Sequence, residues 1–326
     1  MAWRCSTTPR SSTCTSRADA SGAPWCRRPW ARACWPAGPS CWPRARRSLD
    51  WLGEAWGPAA ANCIVRGTPC STGRVLRLML DAGAAPVGDA RACHAVAVDA
   101  RAPKFDGGIV TRLDCVPLGI VVNARGERFY DEGEDVWPKR YAIWGSLVAL
   151  AGSDRLRAHR SQGGGPLHAR SVFPAIEAGS IRELAAALEL PADAVEQTVR
   201  AFNQAVRPGR FDHAVLDDCR TEGLTPPKSH WAQTLDTPPF LAYPLRPASR
   251  SPTWACGSTP RARVQMQDGR PAANVFAAGE IMAGNILRRG YVAGVGMTIG
   301  TVFGRLAGKA RRAMPSAELL AGALRR

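Results

Sequence analysis

The sequence predicts an α/β fold that ends in a Rossmann-like strand, turn and helix. Three observations carry that prediction. Val275, Phe276, Ala277 and Ala278 form a short apolar run stopped by Gly279, the pattern of a buried strand, with Glu280 just beyond it. Glycines follow at 290, 294, 296, 300, 304 and 308, and from Gly296 onward they fall four residues apart, so one face of a helix carries no side chain. Upstream, helical and extended patterns alternate along the chain.

Residues 1–60 are assigned to no domain. Up to Asp50 the only Leu, Ile, Val, Phe or Tyr is Leu49, so the segment lacks the aliphatic area that offsets the entropy of ordering. Its composition is that of a disordered segment or of GC-rich DNA read out of frame. It has neither the amphipathic face of a transit peptide nor the apolar core of a secretory signal. Residues 151–170 and 248–260 form two internal islands of similar character.

Thr72 caps a predicted helix running to Ala82, with Val75, Leu76, Met79 and Leu80 on its apolar side and Gly83 as its stop. Short strands are expected at 109–110 and 120–122, the second ended by a turn at 123–126. Ser180 with Glu183 makes a capping box for one helix. Pro191 opens another, whose Val195, Val199, Phe202 and Val206 recur at helical spacing. Proline pairs at 226–227 and 238–239 then impose extended chain.

At the C-terminal end, a carboxylate at the strand terminus suits a ribose hydroxyl, which assigns Gly279 and Glu280 to a nucleotide. The first helical turn, with Gly294, Gly296, Met297 and Thr298, offers backbone amides to a pyrophosphate. A membrane dimerisation face is the alternative reading of the glycine ladder, but the apolar run breaks at Arg305, short of the ~20 residues a bilayer needs.

The formal charge of +16 suggests nucleic acid as a partner only until it is located. Residues 1–50 hold nine Arg against two Asp, and residues 151–170 four Arg against one Asp, so about +10 sits in the anomalous segments. No zinc finger, aromatic-basic RNA motif or recognition helix accompanies it, and nucleic-acid binding is not expected. Seven of the eleven cysteines fall before residue 71 with no CxxC pair, so no metal site is expected; Cys93, Cys115 and Cys219 read as buried thiols.

The quoted C-terminal residues resemble the fumarate reductase and succinate dehydrogenase flavoproteins, and within them the FAD-dependent tricarballylate dehydrogenases. The resemblance runs through AAGEIMAGN and GMTIGTVFGR, through RGTPCSTGRVLRLMLDAGA at 66–84, through residues 100–145 and through FDHAVLDDCRTEGLTPPKSHW at 211–231. It implies an incomplete FAD-binding domain, with pieces at 61–100 and 248–326, interrupted by an inserted α+β capping domain at 101–247. FAD is the implied cofactor, held by Thr72, Gly73, Gly279, Glu280, Asn285 and the 294–298 turn. His94 and Thr111 fall where these enzymes place substrate-binding His and Thr. Arg112 stands where they carry Glu, consistent with a substrate bearing one more carboxylate, and Arg140 lies near the position of their proton-shuttling Arg.

Guanidinium groups suit such a substrate because their fork of donors matches two carboxylate oxygens. By the residues alone, Arg128 reads as a surface ion pair, Lys139 as a solvated charge, and His213 and His230 as structural. The implied reaction removes hydride from a small polycarboxylate to form an alkene. A separate electron-transfer protein completes it, because the chain has no ligand set for a cluster. No membrane span is expected, and the implied location is cytoplasmic. Two departures stand out. LRRGY at 287–291 brings two Arg into a segment that is small or neutral in the family, and residues 1–60 hold no GxGxxG loop. An inactive fragment that does not retain FAD is the alternative reading.

Overall fold

The computed structural model describes residues 53–54, 56–67, 73–105, 110–151, 156–160, 172–287 and 291–314. In chain order these give β1 (Ile64–Val65), α1 (Arg74–Asp81), β2 (Pro86–Val87), β3 (Cys93–Asp99) and β4 (Gly119–Val122). Next come α2 (Trp137–Arg140), α3 (Trp144–Leu150), β5 (Leu156–Arg160), β6 (Ile176–Ala178), α4 (Ile181–Ala187) and α5 (Ala192–Ala205). The chain continues through β7 (Val206–Arg207), β8 (Arg220–Thr221), β9 (Phe240–Pro252), β10 (Ala255–Cys256), β11 (Arg263–Gln265) and β12 (Pro271–Phe276). A 3-10 segment, Gly279–Asn285, leads to α6 (Val295–Arg312).

The organising element is β9. It pairs in parallel with β1 and antiparallel with β3, β5 and β6, and β5 passes the sheet on to β4. Alternation along β4 then sets the layers. Ile120 and Val122 pack with Leu184, Val195, Val199 and Phe202 of α4 and α5, whereas Val121 packs with Trp144 and Val148 of α3. Helices therefore cover both faces of this part of the sheet, an α/β arrangement as expected.

Local signals placed several elements. Ser180 Oγ accepts from the Glu183 amide at 3.1 Å, and the Glu183 carboxylate accepts from the Gly179 amide, one residue before the partner of a strict capping box. Val195, Val199 and Phe202 are the buried face of α5. Gly126 closes the turn after β4 with φ +81, and a Cβ there would lie 3.0 Å from the Val195 side chain.

Three expectations need correction. The strand at 109–110 does not form at Val110, which is an exposed bend; Ile109 lies outside the described residues. The apolar run 275–278 is not a buried strand: Ala277 is buried, Val275 and Phe276 are half-buried and Ala278 is exposed. The physical reason is that β12 pairs, among the described residues, with β11 alone in a two-stranded ribbon. Arg128 is not on the surface either; it forms an ion pair with Glu132 in which the side chains are 4% and 0% exposed. In addition, the composition break at 248 does not end the strand. β9 continues to Pro252 with one register shift against β3 between His94 and Ala95, and Ala248 lies opposite both Ile64 and Val96, fully buried.

A polar cluster fills the interior beneath β4. Lys228 is 1% exposed and its ammonium donates to the carbonyls of Pro117 at 2.6 Å and Gly119 at 3.0 Å. Burial pulls its pKa down to about 8, partly offset by the nearby Glu132 carboxylate. Cys63 and Cys93 behave as core residues, burial pushing both thiols up to about 12; Cys115 and Cys219 are buried as well.

Candidate functional site

A small cavity of about 20 Å³ lies where β3, the end of β9, the 3-10 segment and the start of α6 converge. Its wall includes His94, Gly279, Glu280, Tyr291, Gly296 and Ile299. Four residues singled out in the sequence thus share one cavity: His94 from one end of the chain, and Gly279, Glu280 and Gly296 from the other. The long β9 makes this possible by holding β3 beside the segment that returns to the C-terminal elements. Gly284 is required at that return, since a Cβ there would sit 2.2 Å from the Thr253 carbonyl oxygen.

His94 is 7% exposed and aromatic rings hold it on two sides. Its Nε2 lies 3.2 Å from the Tyr141 hydroxyl, and its ring meets the Tyr291 ring edge to face with centroids 4.2 Å apart. Burial raises the Tyr141 pKa, with Tyr291 adding and Arg112 opposing, so Tyr141 stays protonated at neutral pH. The Arg112 guanidinium lies 4.8 Å from the Tyr141 ring centroid. Tyr291 also reaches α6, where its hydroxyl accepts from the Gly296 amide at 3.0 Å.

Several sequence-assigned residues have other work. Arg112 forms a two-pronged pair with Asp114 at 2.5 Å, and Trp137 Nε1 donates to the same carboxylate at 2.7 Å. Arg112 therefore reaches His94 only through Tyr141. Thr111 is buried beside β3, its carbonyl accepting from the Asp99 amide. Arg140 pairs with Glu134, which also accepts from the Tyr130 hydroxyl at 2.6 Å, while the Arg140 Nε is buried without a hydrogen bond. None of Thr111, Arg112 and Arg140 lines the cavity. Lys139 is solvated and paired with Asp135, and His230 bonds the Asp217 carbonyl.

Asn285 needs correction as a cofactor contact. Its amide donates to the Cys256 and Met282 carbonyls and its oxygen accepts from the Ser258 amide, so the side chain is committed to tying the 3-10 segment to β10. The expectation of free amides at the start of α6 also changes. Those of Val295 and Gly296 are bonded to the Val292 carbonyl and the Tyr291 hydroxyl, and that of Thr298 closes the first helical turn. Gly294 is the left-handed N-cap, at φ 89, and Met297 is 81% exposed. Gly73 is likewise the left-handed N-cap of α1, at φ 68; Thr72 and the two arginines at 288–289 lie outside the described residues. Sequence reasoning missed Tyr141 and Tyr291. A tyrosine in an unremarkable local pattern gives no signal until its hydroxyl finds a partner.

A Cβ at Gly300, Gly304 or Gly308 would meet nothing within 4 Å, so the bare face of α6 is open. Gly279, in the left-handed region at φ +83, brings the 3-10 segment against that face, a Cβ there lying 4.0 Å from Gly300 Cα. An exposed carboxylate, Glu280, follows. These features suit the ring and ribityl end of a flavin. The sequence contains no GxGxxG, the loop that commonly cradles the pyrophosphate of a dinucleotide. Among the described residues no group of three or more His, Cys, Asp or Glu could hold a metal ion, and no helix is long and apolar enough to cross a membrane.

Comparison with known proteins agrees with this reading. Over 212 residues the chain is 25% identical to the NADH:acrylate oxidoreductase of Vibrio harveyi, covering 64% of this chain and 20% of that protein. Its fold resembles a 3-ketosteroid-Δ4-(5α)-dehydrogenase from Rhodococcus jostii RHA1, with a TM-score of 0.54 and 21% identity over 83% of this chain and 51% of that one. It also resembles a flavocytochrome c3 fumarate reductase in its open conformation, with a TM-score of 0.53 and 15% identity over 85% of this chain and 45% of the other. The chain thus spans about half the length of these solved structures and a fifth of the acrylate oxidoreductase. Residues 44–295 match the FAD binding domain family, and the chain belongs to that family.

Proposed function

We propose that the chain supplies the ring-binding and substrate-binding parts of an FAD-dependent oxidoreductase that removes hydride from a small polycarboxylate of the tricarballylate kind, leaving an alkene. The observation that carries the reading is the shared cavity of His94, Gly279, Glu280 and Gly296. Removing hydride from a saturated carbon requires an acceptor that no side chain provides, and bound FAD supplies it. Gly279, Glu280 and the bare face of α6 at Gly300 would hold it.

The remaining work belongs to side chains. His94, fixed by Tyr141 and Tyr291, contacts a substrate carboxylate and shares a proton with the Tyr141 hydroxyl at Nε2. Arg112, set by Asp114 and stacked on Tyr141, adds positive potential behind it. Arg140, with Glu134 and Tyr130, forms a chain of groups able to relay a proton from solvent. Residues 101–247 act as the cap. Electrons leave to a separate iron–sulfur or quinone-linked protein in the cytoplasm.

A second reading, an inactive fragment, is favoured by one observation: the sequence holds no GxGxxG loop for the pyrophosphate. Anaerobic dye reduction by the FAD-supplied chain separates the two. We expect turnover with tricarballylate at least tenfold above that with a dicarboxylate, since the lost charge-assisted contact is worth about 1.5–3 kcal/mol. Equal rates with a monocarboxylate would remove the polycarboxylate assignment, and flavin uptake with no reduction by any carboxylate would leave the inactive reading standing.

A further inference from the structure

Tyr291 stands between the substrate side of the proposed site and the helix that would take the flavin. On one side its ring meets the His94 ring edge to face with centroids 4.2 Å apart, and it faces the Tyr141 ring at 6.4 Å. On the other, its hydroxyl accepts from the Gly296 amide at 3.0 Å, in the first turn of α6. The ring is half-buried against a cluster that includes Ile64, Val96, Ala142 and Ala248, and two residues on the Ala293 amide donates to the Pro138 carbonyl at 3.4 Å. Tyr291 is thus fixed from the sheet, from α2 and from α6.

Its place on α6 is specific. Gly296 must be glycine for the hydroxyl to reach the amide, since a Cβ there would lie 2.5 Å from the Tyr291 oxygen. Gly300, on the open face assigned to the flavin, follows four residues later and so lies on the same side of the helix, about 6 Å along its axis. A flavin on that face and the His94 imidazole are therefore registered to adjacent turns of one helix, the imidazole by way of Tyr291. Tyr141 holds the imidazole from the end of α2, its hydroxyl 3.2 Å from His94 Nε2. With that bond alone the ring could pivot about it, and the edge contact of Tyr291 removes this freedom.

We infer that Tyr291 is a positioning residue, which sets the His94 imidazole against the flavin-facing side of α6 and so fixes the reach from a substrate held by His94 to the ring. Hydride transfer between two bound groups depends steeply on that reach, a misplacement of about 1 Å costing ~10²-fold. The inference rests on the flavoenzyme reading above, while the link between His94 and α6 is tested in the flavin-free chain. The full chain is compared with Tyr291→Phe, which keeps the ring and removes only the hydroxyl, and with Tyr291→Leu, which removes both. Diethylpyrocarbonate labelling of His94 is followed by peptide mass spectrometry, with the exposed His213 in the same digest as the reference.

Without flavin, His94 is expected to label about threefold faster in Tyr291→Phe and about tenfold faster in Tyr291→Leu than in wild type, as its support first loosens and then is lost. With FAD supplied, Tyr291→Phe is expected to keep the wild-type flavin content and KM and to lose about tenfold in kcat. A residue that merely packs would not produce that split. Circular dichroism checks that both variants are folded. Labelling of His94 in Tyr291→Phe at the wild-type rate would overturn the inference, and so would a loss of kcat matched by a loss of flavin. Faster labelling in both variants, with turnover in none of the three proteins, would remove the redox reading and leave the link from His94 to α6 standing.

Discussion

Replacing Glu132 by alanine is expected to destabilise the protein by ~3–5 kcal/mol, a large share of the 5–15 kcal/mol that holds a typical domain together. The Glu132 carboxylate accepts from the Val121 amide at 2.8 Å and from Arg128 Nε at 3.1 Å; it is the ion-pair partner of Arg128 and the leading opposing charge on Lys228, ahead of Asp131 and Asp217. Removing it strands two buried cations and one strand amide. Glu132→Gln keeps an acceptor for Val121 but not the charge, and should fall between wild type and alanine.

The loss also has a pH signature. The folded pKa of Lys228, about 8, lies below its ordinary 10.5, so between these values the unfolded chain binds more protons and this group makes stability rise with pH. In Glu132→Ala the ammonium loses its leading opposing charge and its folded pKa falls further, so this part of the deficit should shrink as pH rises toward the wild-type folded value of about 8 and be gone above it. Urea denaturation of both proteins at several pH values measures it. A deficit under ~1 kcal/mol, or one that grows with pH, would mean that the cluster is solvated and not a buried ion network.

Replacing His94 by glutamine is expected to lower kcat for the carboxylate reaction about 10²–10⁴-fold while leaving flavin binding intact. Glutamine can still bond the Tyr141 hydroxyl, so the fold around β3 is retained, but it cannot hold a titrating proton next to substrate. Tyr141→Phe keeps His94 and removes its hydroxyl partner, and should reduce kcat about tenfold with little change in KM. A fall in flavin content that parallels the fall in rate would identify His94 as a packing residue of the cofactor site.

What could be read in the sequence was written over short distances. The Ser180 cap, the Gly126 turn and the α5 face at Val195, Val199 and Phe202 each follow from neighbours within a few residues, and each is present. Gly279, Glu280 and Gly296 stand out in the sequence for the same reason, and they line one cavity. Failures came where a partner lies far along the chain. Lys228 sits in a proline-rich stretch that reads only as extended chain, yet its ammonium is held by carbonyls 111 and 109 residues away. Arg128 looked superficial because its burial depends on contacts to Pro226 and Pro227, 98 and 99 residues on.

Asn285 was assigned by position, and only the fold shows that its amide and oxygen are used up by backbone. The apolar pattern of β12 is that of a strand flanked on both sides, while the described residues flank it on one. Composition misled at Ala248, because a window rich in Arg, Ser and Pro hid a residue that lies at the centre of the sheet.

The central claim is that the bare face of α6, beside Gly279 and the His94 cavity, receives the flavin. The most direct test is FAD titration of the purified chain against its Gly300→Leu variant, followed by the visible flavin spectrum. A Cβ at Gly300 meets no protein atom within 4 Å, so a leucine side chain starts from open space on the face proposed for the flavin. In a helix it is also favoured over glycine by up to ~1 kcal/mol. Saturable FAD uptake by the wild-type chain, lost in a Gly300→Leu protein that melts no earlier, is the predicted result. Uptake that is the same in both proteins, or absent from a folded wild-type chain, would contradict it.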